Sequence, residues 1–334
     1  LAQLGLPFEP KNFEVREVRL VYEDKSYSFF GNPVFRIVRR DEFDHWLVKT
    51  CEQVGVTVRQ GEAVKAITQH DHYVEVVTEK ETFHTQVLVA ADGSRSFVRQ
   101  ALKWEDDSRV ARLLEVLTPE NAHIQPEFHD GIAIFDFTRM TDGLQGYYWD
   151  FPSFVNGRPF MNRGLFDSRA RPERHKARLK EELRGALAQR DRKLDDYQLK
   201  GHPIRWWDKN GRFAIPRVIL VGDAAGADPL MGEGISFALG YGRVAAPAIA
   251  DAFARQDFSF ADYSRRLWAD PLFKQLDLRI RLARIAYRIK SRWIVRLGWR
   301  IAPWVMRFTP WRNPAFVPAE TPQIQLTDFI QSST

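Results

Sequence analysis

The arrangement of apolar and polar positions divides the chain into two short buried strands and a longer region between them. Residues 86–91 and 217–221 are nearly continuous apolar runs, which is typical of parallel strands covered on both faces. The first run ends at Asp92-Gly93 and the second at Gly222-Asp223. Because parallel strands present their carboxyl ends to the ligand crevice of an α/β sheet, these two strand ends are the first candidates for a binding site.

The region between the two runs contains four candidate strands of one open sheet, followed by a charged helix. The strands are predicted over residues 110–117, 131–138, 145–151 and 159–167, and the helix over 172–190. Other predicted elements are a helix over 42–54 with Asp41 as its N-cap, a strand over 56–59, a small antiparallel meander between residues 64 and 83, and a helix over 233–254.

The composition is that of an ordinary globular protein, with 44% hydrophobic and 28% charged residues in 334. These values exclude disorder, collagen and coiled coil as descriptions of the whole chain. The length favours two domains, or one large α/β domain with an inserted sheet. The single cysteine, Cys51, excludes an internal disulfide and fits a reducing, cytoplasmic compartment; it is expected to be a small buried side chain. No segment reaches the roughly 18–20 apolar residues that a membrane span requires.

Positive charge is concentrated in one segment near the carboxyl terminus. Residues 279–307 carry nine Arg or Lys and no acid, so the net charge of +6 leaves −3 for the rest of the chain. The cations recur every three or four residues among Trp and Ile side chains, which predicts an interfacial helix, peripheral at the inner face of a membrane. The alternative is a C-terminal helix packed on the protein with a solvated basic face. Nucleic acid is not expected as a partner, because no recognition fold accompanies the charge.

The segment after the first apolar run carries a candidate site for an anionic ligand. Gly93 permits close backbone approach, Ser96 is positioned to cap the next helix, and Arg99 is placed to reach an anionic group. Either strand end alone is equally consistent with a structural turn. Two of them, separated by an inserted sheet, indicate a shared ligand.

The segment after the second run adds a carboxylate and a glycine-rich helix start. The carboxylate of Asp223 can accept hydrogen bonds from polyol hydroxyl groups, and the small residues 224–226 leave room for a flat ligand. Gly232 and Gly234 open a helix whose free N–H groups and positive dipole end can hold an anion or an electron-rich carbonyl.

These motifs resemble those of a known family of flavoproteins. The runs Ala91-Asp92-Gly93-x-x-Ser96-x-x-Arg99 and Gly222-Asp223-Ala224-Ala225-Gly226 are similar to the two internal FAD motifs of flavoprotein oxidoreductases with the para-hydroxybenzoate hydroxylase fold. Within that class, Tyr147-Tyr148-Trp149-Asp150-Phe151-Pro152 resembles the Tyr-x-Trp-x-Phe-Pro motif of geranylgeranyl reductases. Pro229-Leu230-x-Gly232-Glu233-Gly234-Ile235 is also closer to these reductases than to aromatic hydroxylases. The resemblance covers about residues 33–254.

The resemblance implies an α/β protein: a Rossmann-like FAD-binding domain with an inserted antiparallel-sheet (α+β) substrate domain and C-terminal helices. The boundaries that follow are 1–103 and 214–256 for the two parts of the FAD-binding domain, 104–213 for the substrate domain and 257–334 for a basic helical tail. The family opens with a strand, Gly-x-Gly-x-x-Gly and a helix, which this sequence lacks at its start, so a truncated amino terminus is expected. Gly240-Tyr241-Gly242 lies inside a predicted helix and is interpreted as close helix packing.

The resemblance also assigns roles to residues. Those expected to bind the cofactor are Asp92, Gly93, Ser96, Arg99, Gly222, Asp223, Ala224, Gly226, Pro229, Gly232, Glu233, Gly234 and Ile235. Arg39 or Arg40 would approach the flavin side chain or its pyrophosphate, the alternative being salt bridges to Asp41 or Asp44. The residues expected to line an apolar substrate tunnel are Tyr148, Trp149, Phe151 and Pro152.

The implied function is reduction of carbon–carbon double bonds in a polyprenyl, lipid-like substrate by a hydride from reduced flavin, with NADPH or another reductant as electron donor. No catalytic side chain or metal site is predicted, and His70-Asp71-His72 is interpreted as an exposed turn. Two alternatives stay open. One is an FAD-dependent monooxygenase or hydroxylase of an apolar or aromatic small molecule, which shares both flavin motifs. The other is a membrane-surface binding protein without catalysis.

Overall fold

The computed structural model describes residues 8–104 and 109–306, with side chains as far as Ile301. The strands are β1 (Asn12–Tyr22), β2 (Lys25–Val38), β3 (Val64–Gln69), β4 (Val74–Thr78), β5 (Thr82–Thr85), β6 (Leu88–Ala90), β7 (Val110–Pro119), β8 (Ile132–Asp136), β9 (Gly146–Val155), β10 (Arg158–Asp167), β11 (Lys200–Arg205), β12 (Ala214–Ile215) and β13 (Val218–Leu220). The helices are α1 (Arg40–Gln53), α2 (Phe97–Ala101), α3 (Pro126–His129), α4 (Leu179–Ala188), α5 (Gly222–Ala225), α6 (Ile235–Arg255), α7 (Tyr263–Ala269), α8 (Pro271–Ala286) and α9 (Arg292–Met306).

Seven strands form one large sheet in the order β11-β7-β10-β9-β8-β1-β2. Neighbouring strands are antiparallel except β1 and β8, which run parallel. The prediction that β7 to β10 belong to one sheet is confirmed. The sheet is wider than predicted because β11 joins one edge and the β1–β2 hairpin joins the other. The predicted meander is also confirmed, as the small sheet β3-β4-β5.

The β1–β2 hairpin lies elsewhere than the predicted domain boundaries place it. Those boundaries assign residues 1–103 to the cofactor-binding part, whereas β1 pairs with β8 in the large sheet. Val15, Val18 and Tyr22 of β1 are buried there, so the hairpin derives its core contacts from that sheet. Residues 12–38 therefore belong with the large sheet, and the remaining boundaries stay a prediction.

The two apolar runs lie side by side in a second sheet of order β12-β13-β6. β6 and β13 are parallel, with Leu88 opposite Val218 and Ala90 opposite Leu220, as predicted. All three residues of β13 are fully buried, but Val89 of β6, which has a described neighbour on one side only, is 40% exposed. The expectation of cover on both faces is therefore right for β13 and wrong for β6.

Three local predictions before this sheet are wrong for identifiable reasons. Residues 56–59 form no strand, because no described strand pairs with them through backbone hydrogen bonds. Helix α1 has Arg39 as its N-cap, and Asp41 lies in its first turn, where a carboxylate also favours the helix dipole. Cys51 is exposed because α1 buries only Phe43.

The carboxyl-terminal region folds as separate helices that cover the core. Phe273, Leu276 and Ile280 of α8 are buried. Gly240 of α6 lies so close to Leu272 of α8 that an added Cβ would collide with this side chain, which confirms close helix packing as the role of this glycine. Within the described residues, no helix combines the length and apolar character needed to cross a bilayer.

Candidate functional site

The two predicted motifs follow β6 and β13 at the same edge of the β12-β13-β6 sheet. β6 and β13 are parallel and adjacent, and Val221 N–H donates to the carbonyl of Ala90 over 3.0 Å. Gly93 and Gly222, which follow these strands, have φ of +79° and +57°, a conformation that favours glycine. An added Cβ at Gly93 would meet nothing within 4 Å, so this edge is open to close approach by a ligand.

The first motif uses most of its polar groups to build the turn. Asp92 accepts a hydrogen bond from Val98 N–H over 2.9 Å. Ser96 is the N-cap of α2 and accepts from Arg99 N–H over 3.1 Å, as predicted. The Arg99 side chain is buried, and its Nη1 donates to the carbonyl of Ala224 over 3.3 Å. Arg99 therefore ties the two motifs together, whereas the sequence predicts that it reaches an anionic ligand.

Asp223 is a polar group at this edge whose side chain is left for a ligand. Its side chain is half-buried, and no described residue donates a hydrogen bond to it. Burial raises the pKa of Asp223, and the positive charge of Arg40 opposes this rise. A carboxylate in such a position is costly to leave unpaired. Hydroxyl donors of a polyol would satisfy it, which fits the ribityl or ribose part of the FAD that the motifs imply.

Arg39 and Arg40, at the start of α1, form the salt bridges to Asp41 and Asp44 that the sequence offers as the alternative to cofactor contact. Arg39 Nη2 lies 2.7 Å from Asp41 Oδ2, and Arg40 Nη2 lies 3.0 Å from Asp44 Oδ2. Because the charge of Arg40 acts on Asp223, Arg40 also contributes a positive potential to the candidate site. Cofactor contact by Arg39 or Arg40 stays a prediction.

Residues 228–233, here the 228–233 turn, are clamped by two carboxylates and one arginine. Asp228 is fully buried and accepts from the N–H groups of Leu230 and Met231 over 2.8 and 3.2 Å. Arg279 of α8 donates to Asp228 over 2.7 Å and to Glu233 over 2.8 Å. Burial disfavours the charge on Arg279, but the two carboxylates outweigh burial and raise its pKa. The turn is thus fixed from outside by a helix far along the chain.

Three hydroxyl groups hold the carbonyls of the same turn. Ser168 donates to Pro229 over 2.5 Å, Tyr287 donates to Leu230 over 2.8 Å, and Tyr147 of β9 donates to Met231. Gly232 has φ of +73°, and an added Cβ there would lie 3.0 Å from the ring of Phe166. The turn is therefore pressed against the large sheet. Helix α6 begins directly after it at Ile235, so its first N–H groups lie at this end of the site.

The aromatic motif on β9 divides between two faces of the large sheet. Tyr147, Trp149 and Phe151 lie on one face, with ring centroids 6.1 and 6.0 Å apart in succession. We call these three side chains the aromatic row. Tyr148 lies on the opposite face in the core beneath α4, and Pro152 shares its face because side chains alternate along a strand. The prediction that Tyr148 and Pro152 line the same cavity as Trp149 is therefore wrong.

The ring of Trp149 is held in one orientation by neighbouring strands. Its Nε1–H donates to Asn162 Oδ1 over 2.8 Å, and the amide of Asn162 donates to Glu115 over 3.1 Å. The ring lies against Gly164 of β10, where an added Cβ would be 2.5 Å from the carbonyl oxygen of Leu114 and closer still to the indole. Glycine at 164 is therefore required for this placement.

Sequence reasoning misses the residues that hold the 228–233 turn. Tyr147 belongs to the quoted motif, and strand alternation with Trp149 is the signal that assigns it to the aromatic row. Arg279 is misassigned by the sequence, which groups it with the cations expected to face a membrane. In the structure its side chain points inward and pairs with Asp228. Ser168 and Tyr287 carry no signal, since their contacts depend on how β10 and α8 pack.

The chain matches a known protein family and several known proteins in sequence. The FAD binding domain family matches residues 10–250. An uncharacterized protein of Methanosarcina barkeri (strain Fusaro / DSM 804) is 25% identical over 72% of this chain and 59% of its own length. The chloroplastic geranylgeranyl diphosphate reductase of Oryza sativa subsp. japonica is 26% identical over 86% of this chain and 65% of its own length. The chain thus spans roughly three fifths to two thirds of these relatives.

Solved structures share the fold. The geranylgeranyl bacteriochlorophyll reductase-like protein of Thermoplasma acidophilum has a TM-score of 0.65 and 20% identity, over 83% of this chain and 72% of its own. A mutant of the halogenase PltM in complex with FAD also has a TM-score of 0.65, with 14% identity over 86% and 63% of the two chains. The predicted α/β flavoprotein fold and the predicted resemblance are confirmed. Because the family match spans more than half of the sequence, the chain belongs to the FAD binding domain family.

Proposed function

We propose that this protein is an FAD-dependent oxidoreductase that reduces carbon–carbon double bonds of a polyprenyl substrate. The observation that carries the proposal is the hydrogen bond from the hydroxyl of Tyr147 to the carbonyl of Met231. It joins the apolar aromatic row on β9 to the turn that opens helix α6. When bound and reduced, FAD supplies the hydride that is added to one carbon of the double bond, and the neighbouring carbon receives a proton.

The residues at the carboxyl edge of β6 and β13 supply the polar part of the site. Asp223 accepts hydrogen bonds from cofactor hydroxyl groups, and Gly93 and Gly222 allow the backbone to approach. The N–H groups at the start of α6 face the same end and favour negative charge on a neighbouring group. The clamp of Arg279 on Asp228 and Glu233 keeps this helix start in position.

The aromatic row supplies the apolar part of the site. Phe151 is half-buried, and a hydrocarbon chain would gain by displacing water from its exposed surface, with the buried Trp149 packed beside it. Burial and the charges of Asp228 and Glu233 raise the pKa of Tyr147, so its hydroxyl stays neutral and remains a donor to Met231. The similarity to the rice geranylgeranyl diphosphate reductase supports a prenyl chain as the substrate class. The proposed electron donor is NADPH or another reductant.

The test is an anaerobic single-turnover reaction of the FAD-loaded, chemically reduced protein with geranylgeranyl diphosphate. We expect mass spectrometry to show the gain of two hydrogens for each double bond reduced. Trp149→Ala should slow this reaction while flavin stays bound, and Tyr148→Phe, on the opposite face, is the matched control. Unchanged turnover in Trp149→Ala would remove the aromatic row from the site.

A parallel assay of the same protein in air separates the alternatives. Oxygen uptake in air with addition of one oxygen atom to an apolar or aromatic acceptor would show a monooxygenase instead. Bound, reducible flavin with no product in either atmosphere would support a binding protein without catalysis.

A further inference from the structure

Helix α9 presents an apolar stripe to solvent. Trp293, Ile294, Leu297 and Ile301 are 70%, 47%, 39% and 46% exposed. Residues 293, 297 and 301 are spaced by four, so they lie on one face of the helix. The opposite face is already used, because Val295 is buried and the ring of Trp299 lies 5.6 Å from those of both Tyr22 and Phe137.

The cations of this region divide into anchors and solvent-facing charges. Arg292 pairs with Asp142 over 2.8 Å, and Arg296 pairs with Glu23 and Asp24 over 2.7 Å each. These bridges hold α9 on the protein, as the bridge of Arg279 to Asp228 holds α8, whereas Arg281 pairs with Asp277 within α8 itself. The exposed cations that form no ion pair with any described residue are Arg284, Arg288, Lys290 and Arg300.

We propose that the exposed face of α9 docks on an anionic lipid surface. A Trp and three aliphatic side chains on one face suit the boundary between headgroups and acyl chains, where α9 would lie in the plane of the membrane. The solvent-facing cations at the end of α8 and on α9 would meet anionic headgroups, and no acid occurs between residues 278 and 306 to repel them. A protein partner fits less well, because charged side chains are depleted in the centre of protein interfaces.

The buried side of α9 leads to the aromatic row. Trp299 contacts Phe137, and the ring of Phe137 lies 5.3 Å from that of Tyr147. A docked α9 would therefore hold the aromatic row one helix away from the lipid. The docking itself rests on α9 alone, whereas this relation to a lipid-resident substrate rests on the proposed function.

The first test measures binding of the whole chain to vesicles of phosphatidylcholine, with and without phosphatidylglycerol, by cosedimentation. The triple variant Trp293→Ser, Leu297→Ser and Ile301→Ser should bind at least about tenfold more weakly, because the apolar face no longer enters the interface. The matched control carries Phe30→Ser, Val56→Ser and Ile124→Ser, three exposed apolar residues elsewhere on the protein, and should bind like the parent. Equal binding of the parent and the α9 variant would overturn the proposal.

The second test addresses charge. Arg288→Gln, Lys290→Gln and Arg300→Gln together should lower binding to phosphatidylglycerol vesicles on the order of 100-fold and remove most of its salt dependence. The matched control, Lys80→Gln, Lys193→Gln and Lys200→Gln, removes three exposed cations that lie away from α8 and α9 in the chain and should leave binding unchanged. Self-association that the apolar variant abolishes, without any binding to vesicles, would instead show that a second copy covers α9. Flavin content, measured in parallel, separates failure of docking from failure of the proposed reaction.

Discussion

The two faces of strand β9 carry alternate residues of one motif and have opposite characters. On one face, the aromatic row contacts the 228–233 turn through Tyr147. On the other face, Asp150 is buried and is surrounded by donors: Arg163 at 2.8 Å, Arg190 at 2.6 Å and the hydroxyl of Tyr148 at 3.1 Å. The second face is closed by its own hydrogen bonds, whereas the first face of β9 has no buried charge and ends at the half-buried Phe151, which can offer apolar surface to a ligand.

The closed face continues as a buried ion network. Glu120 pairs with Arg163 and, over 3.0 Å, with Arg192. Burial alone would raise the pKa of Glu120, but the two arginines outweigh burial and lower it. Such networks are stable only when every charge has its partners, so the two faces should respond differently to substitution.

The largest expected effect comes from breaking the closed face. Arg163→Met leaves Asp150 and Glu120 buried with fewer donors and should lower the free energy of unfolding by about 3–5 kcal/mol. Urea unfolding measures this loss. The matched control is Arg139→Met, whose bridges to Asp142 and Glu182 are solvent-exposed and should be worth less than about 1 kcal/mol. Equal losses in both variants would contradict the distinction between a closed network and a solvated surface.

The adjacent tyrosines separate the two faces within a single motif. Tyr148→Phe removes a donor to a buried carboxylate and should cost roughly 1.5–3 kcal/mol of stability with unchanged flavin affinity. Tyr147→Phe should cost about 1 kcal/mol but weaken flavin binding, because the carbonyl of Met231 loses its donor and the 228–233 turn loosens. Unfolding and flavin titrations measure the two quantities. Weaker flavin binding in Tyr148→Phe alone would reverse our assignment of the faces.

A methyl group added at Gly164, on the neighbouring strand β10, should displace the ring of Trp149. Gly164→Ala should cost about 1–3 kcal/mol and shift the indole, since its Cβ has no room between Leu114 and Trp149. Tryptophan fluorescence and prenyl turnover report the shift. The control, Gly185→Ala in α4, adds a Cβ that meets nothing within 4 Å and should stabilise the helix by about 0.5–1 kcal/mol. A Gly164→Ala protein with normal turnover would mean that the ring position does not matter.

The same contrast explains what the sequence could predict. The meeting of the two Asp-Gly turns follows from two apolar runs and the rule that parallel strands share their carboxyl edge, so it needs no knowledge of packing. The wrong assignment of Tyr148 was avoidable, because alternation along a strand separates it from Trp149. The inward orientation of Arg279 could not be predicted from the sequence, since its partner Asp228 lies 51 positions earlier and meets it only through the packing of α8. Residues 56–59 are a similar case, because an apolar segment forms a strand only where another strand pairs with it.

The smallest expected effect concerns the carboxyl edge of β6 and β13, where the half-buried carboxylate of Asp223 lowers stability and is proposed to bind the cofactor. Burial raises its pKa, so the folded protein holds this proton more tightly than the unfolded chain does, and above the folded-state pKa the ionised carboxylate lowers stability. Without flavin, Asp223→Asn should therefore melt at a higher temperature than the parent near neutral pH. The difference should shrink as the pH falls from about 7 to about 4, because the parent carboxyl becomes neutral as well.

In flavin binding, the parent should be superior to the Asp223→Asn variant. The amide that replaces the carboxylate in Asp223→Asn would offer cofactor hydroxyls a weaker, uncharged acceptor, so this variant should bind less flavin than the parent, as measured by visible absorbance. A variant that loses flavin without gaining stability in its absence would show that Arg40 already compensates the buried charge. A variant that gains stability and keeps its flavin would show that the carboxylate does not touch the cofactor, and Asp223 would then be removed from the candidate site.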